Sequence, residues 1–294
     1  MASGGSGIVA VEKNIIIHSA DRRLKQGFLK TWVLIIKHVF EKHELIKQLF
    51  IRDFFTANRR SFLGSAWLFL SPIFGMISWL FLNMAGLMNP GNMVVPYPLY
   101  LLNGTLLWGF FMTCVLSAKD TLIVTAGYIA QVNFPHEVIL IKQIMQAVVN
   151  ALLGFTINLV IMFAFGYPPT WWVLTLPVLI LPLIMLAAGA GIIFAVIRVV
   201  FPDADRVLQQ VLPLLMYTAP IIYSGDVNNA KIALVIKYNP LTYVIGVPRD
   251  IILQGVQGRP WFVFALCTLG AFIFFLIALR IFYVSEEIVI ERIY

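Results

Sequence analysis

The residues able to do chemistry in this chain are few, and their positions argue against most kinds of it. The chain contains no Gly-Lys pair, so it lacks the glycine-rich phosphate loop that ends in Gly-Lys-Ser/Thr. It has neither His-Glu-x-x-His nor Gly-x-Ser-x-Gly. The four histidines, His18, His38, His43 and His136, are scattered rather than clustered. The two cysteines, Cys114 and Cys267, fall in separate apolar runs. They build no disulfide framework and no metal spacing, and are expected to be buried, inert thiols. Asp120, Glu137, Asp203, Asp205, Asp226, Asp250 and Glu286 all fall at the ends of apolar runs or between them. An ion-coupled carrier needs ionisable or coordinating groups near the membrane midplane, and these runs offer no charge there. A membrane enzyme of lipid or sugar chemistry would need a carboxylate or histidine cluster at the surface, and none is evident.

What must position these residues is a membrane domain. Of the 294 residues, 60% are hydrophobic and 12% charged, against about a quarter charged in a soluble domain. No charge occurs between Arg60 and Lys119, or between Lys142 and Arg198. Each stretch is too long for one span of about 20 residues. The turn formers of "MNPGNMVVPYP" and "GYPPTWW" divide them. The expected spans are near 62–86, 98–118, 143–165 and 173–197, with a fifth after Arg206 and a sixth from Pro260 to Leu279. Eleven Lys and Arg precede the first span, and Lys119, Lys142, Arg198, Arg206, Arg280 and Arg292 fall on the same side. Only Lys231, Lys237, Arg249 and Arg259 fall on the other. Positive charge marks the cytoplasmic side, so both termini are expected there and the net charge of +7 reads as topology, not nucleic-acid binding. No cleavable signal peptide is expected, and "MASGGSG" reads as a flexible tail.

Three segments carry more than span length. Before the first span, Trp32, Ile36, Val39, Phe40, Ile46, Leu49, Phe50 and Phe54 recur at helical steps with basic residues between them. That pattern fits an interfacial amphipathic helix over 29–60, serving as a topology anchor, a docking surface, or both. The loop "KDTLIVTAGYIAQVNFPHEVILIK" has an apolar body and a Pro-centred turn at Asn133–Glu137, the form of a short surface helix that a soluble partner could push. Between Ser224 and Arg259, "IALVI" and "LTYVIGV" are too short to span, so this segment either dips back into the membrane or folds as an ordinary loop. Two spans also show aromatic faces. Trp67, Ser71, Phe74, Ser78 and Phe81 share one, and Tyr100, Gly104, Trp108 and Phe111 another. Such faces serve helix packing, or a lining on which sugar rings stack.

Four stretches in order resemble the ABC-2 type permeases that export lipid-linked polysaccharides such as O-antigen, capsule and teichoic acid. They are "RDFFTANRRSFLGSAWLFLSP", "YLLNGTLLWGFF", "QVNFPHEVILIKQI" and "APIIYSGDVNNAKIALVIKYNPLTYVIGVPRDIILQG", covering about Arg52 to Gly255. Relatives often carry an adjacent Arg-Asp pair after the fourth span, whereas here Arg198 and Asp203 stand apart. The resemblance implies an all-α integral membrane fold of six spans, with the interfacial helix at 29–60, a transmembrane domain over 61–284, a coupling loop at 121–142 and re-entrant gate helices at 224–258. Residues 1–28 and 285–294 would be a tail and a cytoplasmic C-terminus. It implies a homodimer in the bacterial inner membrane, served by two copies of a separate cytoplasmic ATPase that carries ATP and Mg²⁺, with no cofactor or metal on this chain. Phe134, Pro135, His136 and Glu137 would couple to that ATPase, and Arg52, Asp53, Arg59 and Arg60 would dock it. Trp67, Ser71, Phe74, Ser78, Tyr100, Trp108 and Phe111 would line the path of a lipid-linked glycan at the dimer interface. Tyr223, Asn239, Pro240 and Arg249 would form the external gate. The alternatives are an exporter of a drug or small lipid on the same fold, and a membrane glycosyl- or acyltransferase.

Overall fold

The computed structural model describes residues 28–57, 66–87, 91, 95–124, 136–225, 227–255 and 258–293. These are helical, without strands. Where one interfacial helix is expected there are two, α1 (Phe28–Glu41) and α2 (His43–Ala57), parted at Lys42. The His43 ring donates from Nδ1 to the Phe40 carbonyl, 2.9 Å away, and so satisfies a group freed where α1 ends. There follow α3 (Ala66–Met84), α4 (Tyr97–Lys119), α5 (His136–Ala164), the single turn α6 (Leu176–Leu179), α7 (Leu181–Val200), α8 (Ala204–Leu215), α9 (Ala230–Tyr238), α10 (Pro240–Gln254) and α11 (Trp261–Ile293).

Tyr97–Lys119, Glu137–Ala164, Trp171–Val200 and Trp261–Ser285 are each long and apolar enough to cross a membrane. The chain is therefore a multi-pass membrane protein. In α3 the apolar stretch among the described residues is shorter, Ile73–Met84. α8 has 12 residues and passes into a 3-10 turn at Met216–Thr218. Pro213 lies in its last turn and cannot donate to the carbonyl four residues back, which favours the tighter turn there.

α4 is the central helix, packed against α3, α5, α7 and α10. Most of its residues are buried, Leu99, Leu101, Leu107 and Cys114 among them. α7 sits between α4 and α11, and its "AAGAG" run explains how. A Cβ on Gly191 would meet the Val115 carbonyl at 2.5 Å, and one on Gly189 would meet the Phe274 ring at 2.9 Å. Two backbones thus approach α7 closely on opposite faces, the packing that small residues permit in membranes. α11 turns Phe262, Leu266, Leu269, Ile273 and Ile277 outward.

Side-chain contacts set the ends of the bundle. α4 ends at Lys119 beside the start of α8, while its first turns lie against the chain after α8. Asp205 to Pro220 therefore runs antiparallel to α4 along its length.

Candidate functional site

At the end of the bundle where α4 finishes, α2 lies against the start of α5. Ile46 and Leu49 pack on Val138 and Ile139. Beside them Lys142 Nζ donates to Asp53 Oδ2 at 2.8 Å, and Arg52 Nε donates to Asp53 Oδ1 at 2.9 Å. Partial burial pulls the Asp53 carboxyl upward, but the hydrogen bonds and charges of Lys142 and Arg52 outweigh it and hold the group below its ordinary value. Glu137 is buried in the first turn of α5, where the helix dipole favours an anion. Of the expected coupling residues, Phe134 and Pro135 lie outside the described residues, and so do Arg59 and Arg60 of the expected docking set. His136 opens α5.

The same end carries a second cluster of charge. Lys119 is 5% exposed, and its ammonium pairs with Asp205 of α8 and with Asp120, 3.2 Å away. Arg198, from the last turn of α7, pairs with Asp120 and lies 3.9 Å from Asp205. Gln209 donates to the other oxygen of Asp205 at 3.1 Å. The hydrogen bond from Lys119 leads the causes that hold Asp205 below its ordinary value, against a smaller upward pull from burial. Arg198 thus finds its partners on α8 and after α4, whereas Asp203 makes only an outer pair with Arg206, both side chains 88% exposed.

The opposite end is organised around Arg249, 1% exposed in α10. Its guanidinium donates to Asp250 Oδ1 from Nε at 3.2 Å and from Nη2 at 3.0 Å, and to the Pro220 carbonyl at 2.7 Å. Its central carbon stands 3.9 Å from the centroid of the Tyr100 ring, a cation–π contact. Arg259 approaches the other oxygen of Asp250 at 3.4 Å. The Tyr100 hydroxyl proton is shared between the carbonyls of Pro220 (3.0 Å) and Tyr223 (2.8 Å). Asn239 caps α10 by accepting from the Leu241 N–H, and its amide donates to the carbonyl and hydroxyl of Thr218 at 3.1 and 2.8 Å. Pro240 occupies the first helical position, where the missing N–H has no helical partner to lose. The chain thus gathers Arg249 with Tyr100, Pro220, Asp250 and Arg259, and brings Tyr223 to them through the Tyr100 hydroxyl, whereas Asn239 and Pro240 sit at the start of α10 against Thr218.

The aromatic faces divide. Tyr100, Trp108 and Phe111 are buried within the single chain, with Trp108 stacked on Phe111 at 5.3 Å between centroids. Phe74 and Ser78 are exposed on α3, where Ser78 donates to the Phe74 carbonyl. The side chains of Trp67 and Ser71 lie outside the described residues.

No family model matches the chain. Among curated proteins, an O-antigen export system permease protein RfbA of Klebsiella pneumoniae is 26% identical over 69% of this chain and 78% of its own length. One from Myxococcus xanthus is 26% identical over 71% and 80%. The polysialic acid transport protein KpsM of Escherichia coli is 23% identical over 71% and 81%. The chain is similar to polysaccharide-export permeases. The relatives match the resemblance read from the sequence, and the O-antigen proteins are named as permeases of export systems.

Similarity to transport permeases directs attention to groups that the sequence reading passed over. Asn103 and Asn158 are both fully buried, one on α4 and one on α5, and exchange amide hydrogen bonds at 2.8 and 3.3 Å. Thr121 donates to Gln143 Oε1 at 2.6 Å, also buried. The available signal was simple: an amide inside an apolar run has no water to pair with, so it must have a partner. The partner's identity was not readable.

Proposed function

We propose that this chain is the membrane subunit of an ATP-driven exporter of a lipid-linked polysaccharide, powered by a separate ATPase. The observation that carries the reading is the similarity to O-antigen and polysialic acid transport proteins over some 70% of the chain. The geometry agrees with it. Many of the charged and hydrogen-bonding groups, Lys142, Asp53, Lys119 and Asp205 among them, are spent on contacts between helices. ATP and Mg²⁺ belong to the ATPase in this reading.

Six crossings, a homodimer and inner-membrane placement with both termini inside complete the proposal. Support for the fifth crossing comes from Asp205 to Pro220, where α8 and the chain after it together run from Lys119 to Tyr100. Burial within the chain sets Tyr100, Trp108 and Phe111 apart from a surface lining, so the glycan path is assigned to the α3 face that carries Phe74 and Ser78. The α2–α5 corner, with Arg52, Asp53, His136 and Glu137, is the docking and coupling ledge. The α9–α10 segment is the external gate.

The test is purification from the native membrane in mild detergent, followed by reconstitution. Co-purification of a stoichiometric ATPase and ATP-dependent movement of lipid-linked glycan support the proposal. A lone chain without either overturns it.

A further inference from the structure

The polar contacts at the α2 end of the bundle fall on consecutive residues, joined by the backbone between them. The line starts at Asp53 on α2 and crosses to Lys142 on α5. Gln143, the next residue, crosses to Thr121 just beyond α4. The two residues before Thr121 are Asp120 and Lys119, which hold Arg198 of α7 and Asp205 of α8. Three crossings between elements thus link α2 to α8, and a fourth, Asp120 to Arg198, branches to α7. Thr121, Lys119, Lys142 and Gln143 are buried, whereas Asp53, Asp120 and Asp205 keep partial exposure.

Stability alone does not account for this line. A buried ion pair often contributes little over an apolar pair of the same volume. What it contributes is register, because charged and amide partners lose far more than methyl groups when they slide apart. α8 is well suited to carry a displacement onward. Its buried face is narrow, with Leu208 and Leu212 alone fully covered. Beyond its far end the Pro220 carbonyl accepts from Arg249, and Thr218 accepts from Asn239. Each end of this segment is therefore tied by polar contacts, and its length packs lightly.

We infer that Thr121, Gln143, Lys119 and Asp205 are positioning residues that transmit movement of α2 and the start of α5 through α8 to the Arg249 cluster at the opposite end. This rests on the reading under Proposed function, which places an ATPase at the α2–α5 corner. The Thr121–Gln143 contact is the link to cut, because Thr121→Val with Gln143→Leu removes both polar partners together and leaves neither unsatisfied.

The experiment places spin labels at exposed Ile51 on α2 and exposed Val207 on α8, with Cys267 replaced by Ala, in the complex with the co-purified ATPase. Distances are measured with and without Mg²⁺ and a non-hydrolysable ATP analogue. The analogue is expected to shift the distance distribution in the parent. In Thr121→Val/Gln143→Leu the ratio of shifted to unshifted populations falls roughly two- to thirty-fold, the range in which such contacts alter coupling. Thr121→Ser, which keeps the hydroxyl, retains the shift. Asp53→Asn, a milder cut at the α2 end, weakens it as well and serves if the double variant fails to fold. A full shift in the double variant, or in Asp53→Asn where that variant replaces it, overturns the inference and leaves the proposed function standing. So does a parent complex that binds nucleotide without any shift. Failure of any ATPase to co-purify overturns the proposed function, and this inference with it.

Discussion

The two ends of the bundle bury charge in different ways. At the α2 end, neighbour pairs such as Arg52–Asp53 are joined by pairs between elements: Lys142 meets Asp53, Lys119 meets Asp205, and Arg198 meets Asp120. At the opposite end, Arg249 takes its carboxylate from the next residue and completes its shell with a carbonyl and an aromatic ring. The first arrangement ties helices that are far apart in sequence, and its outer members stay partly wet. The second is enclosed, and loss of one member strands the others away from water. The first is therefore suited to exchange partners, and the second to hold one local shape.

The largest effect expected from this contrast is at Arg249. Arg249→Leu leaves Asp250 with Arg259 as its cation partner among the described residues, and the Pro220 carbonyl without this donor. A loss of about 3–5 kcal/mol is expected, the usual result of breaking a buried pair, read as a large fall in thermal unfolding temperature and in yield from the membrane. Lys119→Met should cost less, about 1–3 kcal/mol, because Arg198 still faces both Asp120 and Asp205. If Lys119→Met proves the more damaging in the same assay, the contrast fails.

The buried amide pair lies between the two ends and sharpens the scale. Asn103→Leu alone strands the Asn158 amide and should cost about 1–2 kcal/mol. Asn103→Leu with Asn158→Leu should cost less than the single change, and a double-mutant cycle measures the difference.

Acid should distinguish the ends more weakly. Asp53 and Asp205 are held below their ordinary values. A depressed carboxylate contributes stability above its unfolded value and loses it as pH falls through its folded one. The α2 end should therefore loosen only below the ordinary carboxylate range. Protection factors in α2 and α8, corrected for the intrinsic pH dependence of amide exchange, that fall already within the ordinary carboxylate range would contradict this. The smallest effect is at Arg206. Its pair with Asp203 is solvent-exposed, and Arg206→Ala should leave the unfolding temperature unchanged within error.

Much of the fold was legible from where charge stops. The long uncharged stretches, broken by Pro, Gly and Asn, place α3 and α4 within a few residues of their ends, whereas α5 starts earlier than expected and α7 later, a 3-10 turn at Trp171–Thr175 and α6 taking up the start of that span. The fifth expected span is the exception. Its apolar run was readable, but Pro213 and the turn beyond it leave only 12 residues of α-helix. The interfacial segment also differs, because its apolar periodicity continues past Lys42 although the helix does not.

The sequence by itself determined that the chain enters a membrane, that four of its stretches are long and apolar enough to cross one, and that its charge lies at their ends. These follow from hydrophobicity and charge summed over tens of residues, which need no knowledge of neighbours. It also marked Tyr223, Asn239, Pro240 and Arg249 through resemblance. Only the tertiary structure decided which faces are covered and who pairs with whom. Trp108 and Phe111 share a helical face with Tyr100 in any α-helix, but whether that face meets sugar or a neighbouring helix depends on packing. Arg198 and Asp203 stand close in the chain, yet Arg198 pairs with Asp120 and Asp205 because α4 and α8 bring those carboxylates to it. Pairing across 78 residues, as between Arg198 and Asp120, leaves no local pattern, since periodicity reports a helix's own faces and not the helix that lies against them.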